Sequence, residues 1–352
     1  MISKLIFLSI LSLIFAVFDL YFHRRLLGFF ALGVKTKKLF TTALIVWQFG
    51  FVALSFSSEF WGVRPFFAAV LGFMLFCVVF GTFLEVAWRF RAFERAKRLL
   101  LGVFATLFTY SFYSASLAPN IKQINIKASH DSLKSLKLAV IADAHIDPSK
   151  QKFSQEIVDR VNDINPDATL IVGDLCDGRI EDVKEALTPF SKLNSKYGVF
   201  FSPGNHEYYY DDFESKMEFL RALGVKTLIN RSEKAGDISI VGLSDPAAKK
   251  AKEEEPNPSK AFEGAKSPSI LMAHQPKSAK EALGFKPDFV FCGHTHNGQI
   301  WPFKYLVSLV QPYTYGEYKD GASKIFVTSG VGLWGPPMRL FSRSEILIVT
   351  FF

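Results

Sequence analysis

Two patterns of apolar and polar positions divide the chain. In the first third, residues 5–22, 39–56, 65–87 and 99–117 are nearly unbroken apolar runs. Each is about 18–23 residues long, the length at which a helix crosses the hydrocarbon core of a bilayer. Four transmembrane spans are therefore expected, and the shorter run 26–34 would lie at the interface. No small-residue cleavage site follows the first run, so it does not read as a cleaved signal peptide. From residue 119 onward the pattern changes. Short runs rich in Val, Ile and Phe at 136–142, 168–172, 199–202, 238–243, 270–273, 289–292, 325–328 and 346–351 read as buried strands. Amphipathic stretches at 153–164, 180–193 and 211–223 separate the first of them as helices. Helices alternating with buried strands predict a layered α/β domain whose sheets are covered on both faces. The expected organisation is a transmembrane helical region at 1–118 and an α/β domain at 119–352, with a charged, Pro-punctuated mobile surface loop at 245–269.

Charge refines this picture by its location. The net charge is +8, and residues 1–118 carry 12 Lys and Arg against four acids, which accounts for all of it. The domain beyond is neutral, so no nucleic-acid partner is expected. Ten of those twelve basic residues fall in the segments 23–38 and 89–98. The positive-inside rule places both on the cytoplasmic side, and four spans then put the C-terminal domain outside. The expected location is the plasma (inner) membrane, multi-pass, with an extracytoplasmic domain. Asp19 and Glu85 sit about one turn from the ends of their runs, within reach of headgroups. The three cysteines form no paired pattern and predict no disulfide framework.

Chemistry concentrates at the ends of the predicted strands. Asp143 and His145 stand in IADAHID, Asp174 in IVGDLCDG, Asn205 in FSPGNHE, His274 in LMAHQP, and His294 with His296 in FCGHTHNGQ. Five of the chain's seven histidines lie in these motifs, four as candidate ligands and His206 beside Asn205. In each motif a buried strand gives way to a turn with Gly or a small residue, which presents a side chain beyond the C-terminal edge of a sheet, where α/β folds place their ligands. Taken singly, D-x-H is weak and GNHE reads equally well as a helix cap. GHTHNG is specific, because two histidines in a Gly-flanked turn have no packing rationale. The set is all nitrogen and oxygen, which favours Mn, Fe or Zn. Seven ligands are too many for one tetrahedral ion and suit two divalent metal ions bridged by Asp174, whose carboxylate has lone pairs for both.

The ordered set DAH, GDLCDG, GNHE, AHQP and GHTHNGQ resembles the calcineurin-like metallophosphoesterase superfamily, and TSGVGLWGPPMRLFSRSEILIVTF resembles its membrane-attached bacterial branch. The resemblance covers about residues 136–352. It implies a two-sheet sandwich flanked by helices, with Asp143, His145, Asp174 and His296 at one metal and Asp174, Asn205, His274 and His294 at the other. It implies that His206 is catalytic, protonating the leaving oxygen or stabilising the phosphoryl charge, and that the adjacent acid Glu207 orients it. Ala144 replaces the usual larger apolar residue, and Glu207 stands where many members have Asp.

The implied activity is a hydrolase, or phosphodiesterase in the broad sense, that cleaves a phosphodiester, pyrophosphate or phosphomonoester by metal-activated water. Together with the expected spans, this points to a lipid-linked phosphate ester at a membrane and to no obligate protein partner. UDP-2,3-diacylglucosamine, a lipid A precursor, is the specific alternative suggested by similar membrane phosphoesterases. A non-catalytic membrane sensor or scaffold that binds phosphate ligands is the alternative from another class.

Overall fold

Strand pairing follows directly from side-chain alternation. In Lys137–Ile141, Leu138 and Val140 point to one side of the sheet and Ala139 and Ile141 to the other, and all four are buried. A strand with both faces covered must lie between two layers. The computed structural model describes residues 15–16, 18–27, 33–55, 69, 72, 74, 77–79, 81 and 93–352. The chain divides into two compact units, one of residues 1–114 with 335–338 and one of residues 115–334 with 339–352.

The larger unit is built on two six-stranded sheets. The first contains β1 (Asn120–Ile126), β2 (Lys137–Ile141), β3 (Ala168–Val172), β4 (Val199–Ser202), β5 (Val225–Thr227) and β12 (Glu345–Phe351), in the order β1-β12-β2-β3-β4-β5. The second contains β6 (Arg231–Ala235), β7 (Ile238–Gly242), β8 (Ser269–Met272), β9 (Phe289–Cys292), β10 (Gly316–Asp320) and β11 (Ser323–Val327), in the order β10-β11-β9-β8-β7-β6. Strands β2, β3 and β4 are parallel in the first sheet, and β7, β8, β9 and β11 are parallel in the second. Leu138, Leu170 and Phe200 of the first sheet share one buried core with Ile240, Ile270 and Phe291 of the second. The opposite face of the first sheet packs Ile141, Ile171 and Phe201 against Val158, Val183 and Met217 from the helices Gln151–Asn162, Ile180–Leu187 and Phe213–Ala222. Leu271 and Val290 do the same on the outer face of the second sheet, against Ala279 and Ala282 of the helix Pro276–Ala282. The layers are helix, sheet, sheet, helix, the two-sheet sandwich that the motifs imply.

Four strands have no counterpart in the hydrophobic pattern. β1, β5, β6 and β10 are edges of their sheets. β1, β6 and β10 are only partly buried and carry polar residues along one face, while β5 has three residues. An edge strand needs only half the apolar surface of a central one. The predicted mobile loop at 245–269 is also corrected. It contains the single helical turns Ala248–Ala251 and Pro258–Ala261, with Ala248 and Ala261 fully buried. Asn230, itself buried, accepts hydrogen bonds from the N–H groups of Ser244 and Asn257 and donates to the Glu255 carbonyl, tying the segment down.

The smaller unit overturns the expectation of four transmembrane spans. Among the described residues no helix is long and apolar enough to cross a membrane. The helix Val34–Ser55 begins with Lys35, Lys37 and Lys38 and carries Gln48 in its centre. The helix Phe93–Ser116 ends in a polar stretch with Thr109, Tyr110, Ser111, Tyr113, Ser114 and Ser116. Gln48 is buried and donates to the Asp19 carboxylate at 3.0 Å, beside a small cluster of Phe18, Phe22, Leu44 and Met74. Apolar run length alone cannot distinguish such packed helices from spans. The runs 5–22 and 65–87, the interfacial run 26–34 and Glu85 fall largely outside the described residues. With the spans, the multi-pass plasma-membrane location and the extracytoplasmic placement of the α/β domain lose their basis.

Candidate metal centre

Every candidate ligand lies just past the C-terminal end of a parallel strand. Asp143 and His145 follow β2, Asp174 follows β3, Asn205 follows β4, His274 follows β8, and His294 and His296 follow β9. Five of the seven, Asp143, His145, Asp174, His294 and His296, have left-handed backbone, with φ between 47° and 69°. Such conformations cost about 1–3 kcal/mol each and persist only where the surroundings hold them. Their effect is to turn each strand end sharply, so that its side chain points over the sheet edge. Gly173 (φ 75°) makes one of these corners possible, since a Cβ there would lie 2.5 Å from Nδ1 of His274.

The side chains gather into neighbouring groups. Asp143, His145 and His296 bring ligand atoms within 4.8 Å of one another, and so do Asp174, His274 and His294. His145 Nε2 and His296 Nε2 are 3.1 Å apart, and His296 Nε2 is 3.4 Å from Asp143 Oδ1. His274 Nε2 is 3.1 Å from Asp174 Oδ2, and the same Asp174 oxygen is 3.9 Å from His145 Nε2. Asp174 therefore faces both groups. The amide of Asn205 donates to the Tyr209 hydroxyl at 2.6 Å, which leaves its Oδ1 as the free end. Among the described residues, that oxygen, His274 Nε2, His294 Nδ1 and His296 Nδ1 are buried without a hydrogen-bond partner of good geometry. Unsatisfied buried acceptors are costly in an apolar interior. Imidazole nitrogens and two carboxylates converge here beside the orphaned Asn205 oxygen, the donor set that a pair of cations requires, so the residues fit divalent metals.

Partners behind the ligands fix which nitrogen faces inward. Asp177 Oδ1 accepts from Nδ1 of His145 at 3.0 Å and from Nδ1 of His206 at 2.6 Å. The carbonyl of Val172 accepts from Nδ1 of His274 at 2.8 Å. For His145 and His274 these contacts make Nδ1 the outward donor and turn Nε2 inward, the orientation that a metal-ligating histidine requires. Asp177 is the residue the motif reading missed. It lies three residues after Asp174 in the same GDLCDG turn, but its role depends on the neighbouring strand, which the sequence does not reveal. Glu207, expected to orient His206, does something else. It is buried, and it accepts backbone N–H bonds from Asp174, Leu175, Cys176 and Gly204, at 2.7–3.4 Å. Glu207 thus ties the β3 turn to the β4 turn, while Asp177 orients His206. Ala144 is fully buried in the helix-side core.

The electrostatics follow from this crowding. Burial pushes the Asp143 carboxyl up to about 6, despite His274 nearby. Burial also opposes charge on Asp174 and Asp177, but the surrounding histidines outweigh it and hold both well below the usual carboxylate range. Burial disfavours the charged form of His206 too, but Asp174 and Asp177 overcome it and raise the imidazole to about 9. Burial lowers His294 to about 3, with His274 adding to the effect, and holds His296 well below the usual value. At neutral pH the last two are bare lone-pair donors.

A cavity of about 310 Å³ opens over these groups and is lined by His145, Asp174, Asn205, His206, His294 and His296. Residues 136–298 match the family model described as calcineurin-like phosphoesterase. An uncharacterized metallophosphoesterase of Helicobacter pylori strain J99 is 41% identical over 259 residues, covering 70% of this chain and 69% of the relative. The chain belongs to the calcineurin-like phosphoesterases. An uncharacterized metallophosphoesterase of Campylobacter jejuni is 32% identical, with 98% of both chains covered. A Danio rerio protein named as a transmembrane protein with metallophosphoesterase domain is 36% identical over 72% of this chain and 62% of its own length. The protein is accordingly a metal-dependent phosphoester hydrolase, and its His and Asp groups could hold metal.

Proposed function

We propose that the cleft is a two-metal site that hydrolyses a phosphodiester, pyrophosphate or phosphomonoester. One ion would be held by Asp143, His145, Asp174 and His296, and the other by Asp174, Asn205, His274 and His294. The observation that carries this reading is the position of Asp174. Its Oδ2 lies 3.1 Å from one group's His274 Nε2 and 3.9 Å from the other group's His145 Nε2, as a shared ligand must. Divalent ions there would polarise phosphoryl oxygens and supply a nucleophilic water near neutral pH. Mn, Fe and Zn suit the nitrogen and oxygen donors.

The chain's own groups supply the rest. His206 lines the cavity, with Nε2 3.9 Å from Asp174 Oδ2 and Nδ1 held by Asp177. Its raised pKa of about 9 keeps a proton on the ring at neutral pH. A protonated imidazole there neutralises charge on the phosphoryl group and donates its proton to the leaving oxygen. Its backbone N–H donates to Asp174 Oδ1 at 2.8 Å, so the acid and the shared ligand are positioned by the same turn. The substrate is a phosphate ester or anhydride and requires no protein partner. The expectation of a lipid-linked ester rests on the spans and loses that support, and UDP-2,3-diacylglucosamine, suggested by the resemblance to membrane phosphoesterases, gains none.

The test is reconstitution of the full chain, stripped of metal, with Mn, Zn or Fe, followed by assays against bis(4-nitrophenyl) phosphate, 4-nitrophenyl phosphate and pyrophosphate. The reading requires turnover that depends on about two ions per chain. Metal-independent turnover, or full activity with one ion, would overturn it.

A further inference from the structure

The cavity above the metal-binding groups has a second, chemically different lining. Phe303, Leu306, Val307, Val310 and Trp334 face the same space as His206 and the candidate ligands. Leu306, Val310 and Trp334 are at least half exposed, an arrangement that leaves apolar surface in water beside a polar centre. Scattered exposed apolar residues need no explanation, but a contiguous patch on a cleft wall marks a binding surface.

Trp334 is held there with unusual completeness. Gln299 is almost fully buried, and its Nε2 donates to the Trp334 carbonyl at 2.7 Å while its Oε1 accepts from the Trp334 N–H at 2.8 Å. Both backbone groups of one residue are thus paired with one side-chain amide. Gln299 has φ 51° and ψ −51°, outside the regions that non-glycine residues favour, and its own carbonyl accepts from Leu340 N–H at 2.9 Å. Gln299 follows His296 by three residues. The loop that carries two candidate ligands therefore also sets the position of Trp334.

We propose that Trp334, positioned by Gln299, is a specificity-determining residue that receives a flat aromatic group esterified to the substrate phosphate. The occupant follows from the walls. Beyond the indole, the other well-exposed ring on the cavity is Tyr209, whose ring centre lies 4.6 Å from that of His206. Aromatic groups stack on such rings with preferred offset or edge geometry, which an alkyl chain does not share. The amide clamp fixes the Trp334 backbone beforehand, so binding has only the indole torsions left to order. The proposal rests on the phosphoester reading of the cleft and names the group that this reading leaves open.

The test uses non-hydrolysable ligands, so that binding is measured apart from turnover. Titration calorimetry on the metal-loaded full chain would compare phenylphosphonate, hexylphosphonate and methylphosphonate, with inorganic phosphate as the ring-free reference. In the parent, phenylphosphonate should bind more tightly than both alkyl ligands. Trp334→Ala should weaken phenylphosphonate roughly tenfold relative to phosphate, the usual scale of one stacking contact with its buried area, and Trp334→Phe should restore most of it. Gln299→Ala should act in the same direction as Trp334→Ala, and Gln299→Glu, which keeps the acceptor and loses the donor, should lie between. Equal weakening of phenyl and methyl ligands, or hexylphosphonate losing as much as phenylphosphonate, would overturn the proposal. The predicted phenyl preference and its loss in Trp334→Ala, found with no turnover of any ester, would overturn the hydrolytic reading and still support an aromatic subsite at Trp334.

Discussion

Asp177→Asn isolates one carboxylate that serves two histidines. Its Oδ1 accepts from His145 Nδ1 at 3.0 Å and from His206 Nδ1 at 2.6 Å. Asn is the same size and keeps one acceptor oxygen, so the turn keeps its shape while the negative charge is lost. A hydrogen bond to a charged group is worth about 1.5–3 kcal/mol, and two of them weaken in this variant. On the His145 side the loss falls on a ligand, and removing a partner of this kind typically lowers metal affinity or activity by roughly 10–100-fold. On the His206 side it falls on the proton donor. Against burial, Asp174, Asp177 and Glu207 together raise this imidazole to about 9, so without the Asp177 charge less of it stays protonated at neutral pH. Together the two effects predict a fall in kcat of about 10²–10³ with ordinary leaving groups. The assay is kcat at saturating metal, with metal content determined on the same preparation. Saturating metal should recover the part of the loss due to His145 and leave the part due to His206. A variant with parental metal affinity and parental kcat would refute the shared-acceptor argument. Complete recovery at high metal would refute the role of His206 as proton donor.

Other perturbations separate the remaining roles. Asp174→Asn should abolish binding of the second ion and reduce turnover to background, checked by metal analysis; normal occupancy with normal turnover would remove Asp174 as the bridge. His206→Ala should keep its metal while kcat falls by about 10²–10⁴, with a smaller loss for nitrophenolate leaving groups, which need no proton; equal losses for both kinds would count against acid catalysis. Glu207→Gln places an NH₂ against backbone donors now satisfied by a carboxylate and should cost about 2–4 kcal/mol of stability, read as a lower Tm and a lower denaturation midpoint. Metal affinity should fall as pH drops and His274 takes up a proton, which a bound metal must displace. Burial opposes that charge, but Asp174 and Asp143 outweigh it and hold the imidazole well above its usual value. Titration of metal content against pH would check this, and a flat profile down to pH 5 would exclude His274 as a ligand.

The division between what the sequence revealed and what it hid has a physical cause. Central strands such as Ala168–Val172 are buried on both faces, so burial writes their boundaries into the composition. Edge strands such as Gly316–Asp320 are half solvated and carry no such mark. The same asymmetry applies to the membrane expectation, because a helix that packs its apolar side against another helix reads like a helix that packs it against lipid. Gln48 donating to Asp19 inside the described part of the smaller unit joins residues 29 positions apart, a pairing that run length does not reveal. At the metal centre, side chains that face the ligand are legible because their chemistry is rare, and histidine beside glycine has few other uses. Side chains that act from behind are ordinary residues in ordinary company. Asp177 reads as a turn aspartate, Gln299 as the end of a loop, and Glu207 as the orienting acid that it is not. Their roles are set by which backbone N–H or imidazole nitrogen the fold brings within 3 Å. Those partners lie across neighbouring strands, with Asp177 reaching His145 from β3 to β2 and His206 from β3 to β4. Ligand identity is therefore a local property of the sequence, and ligand orientation is a property of the strand order.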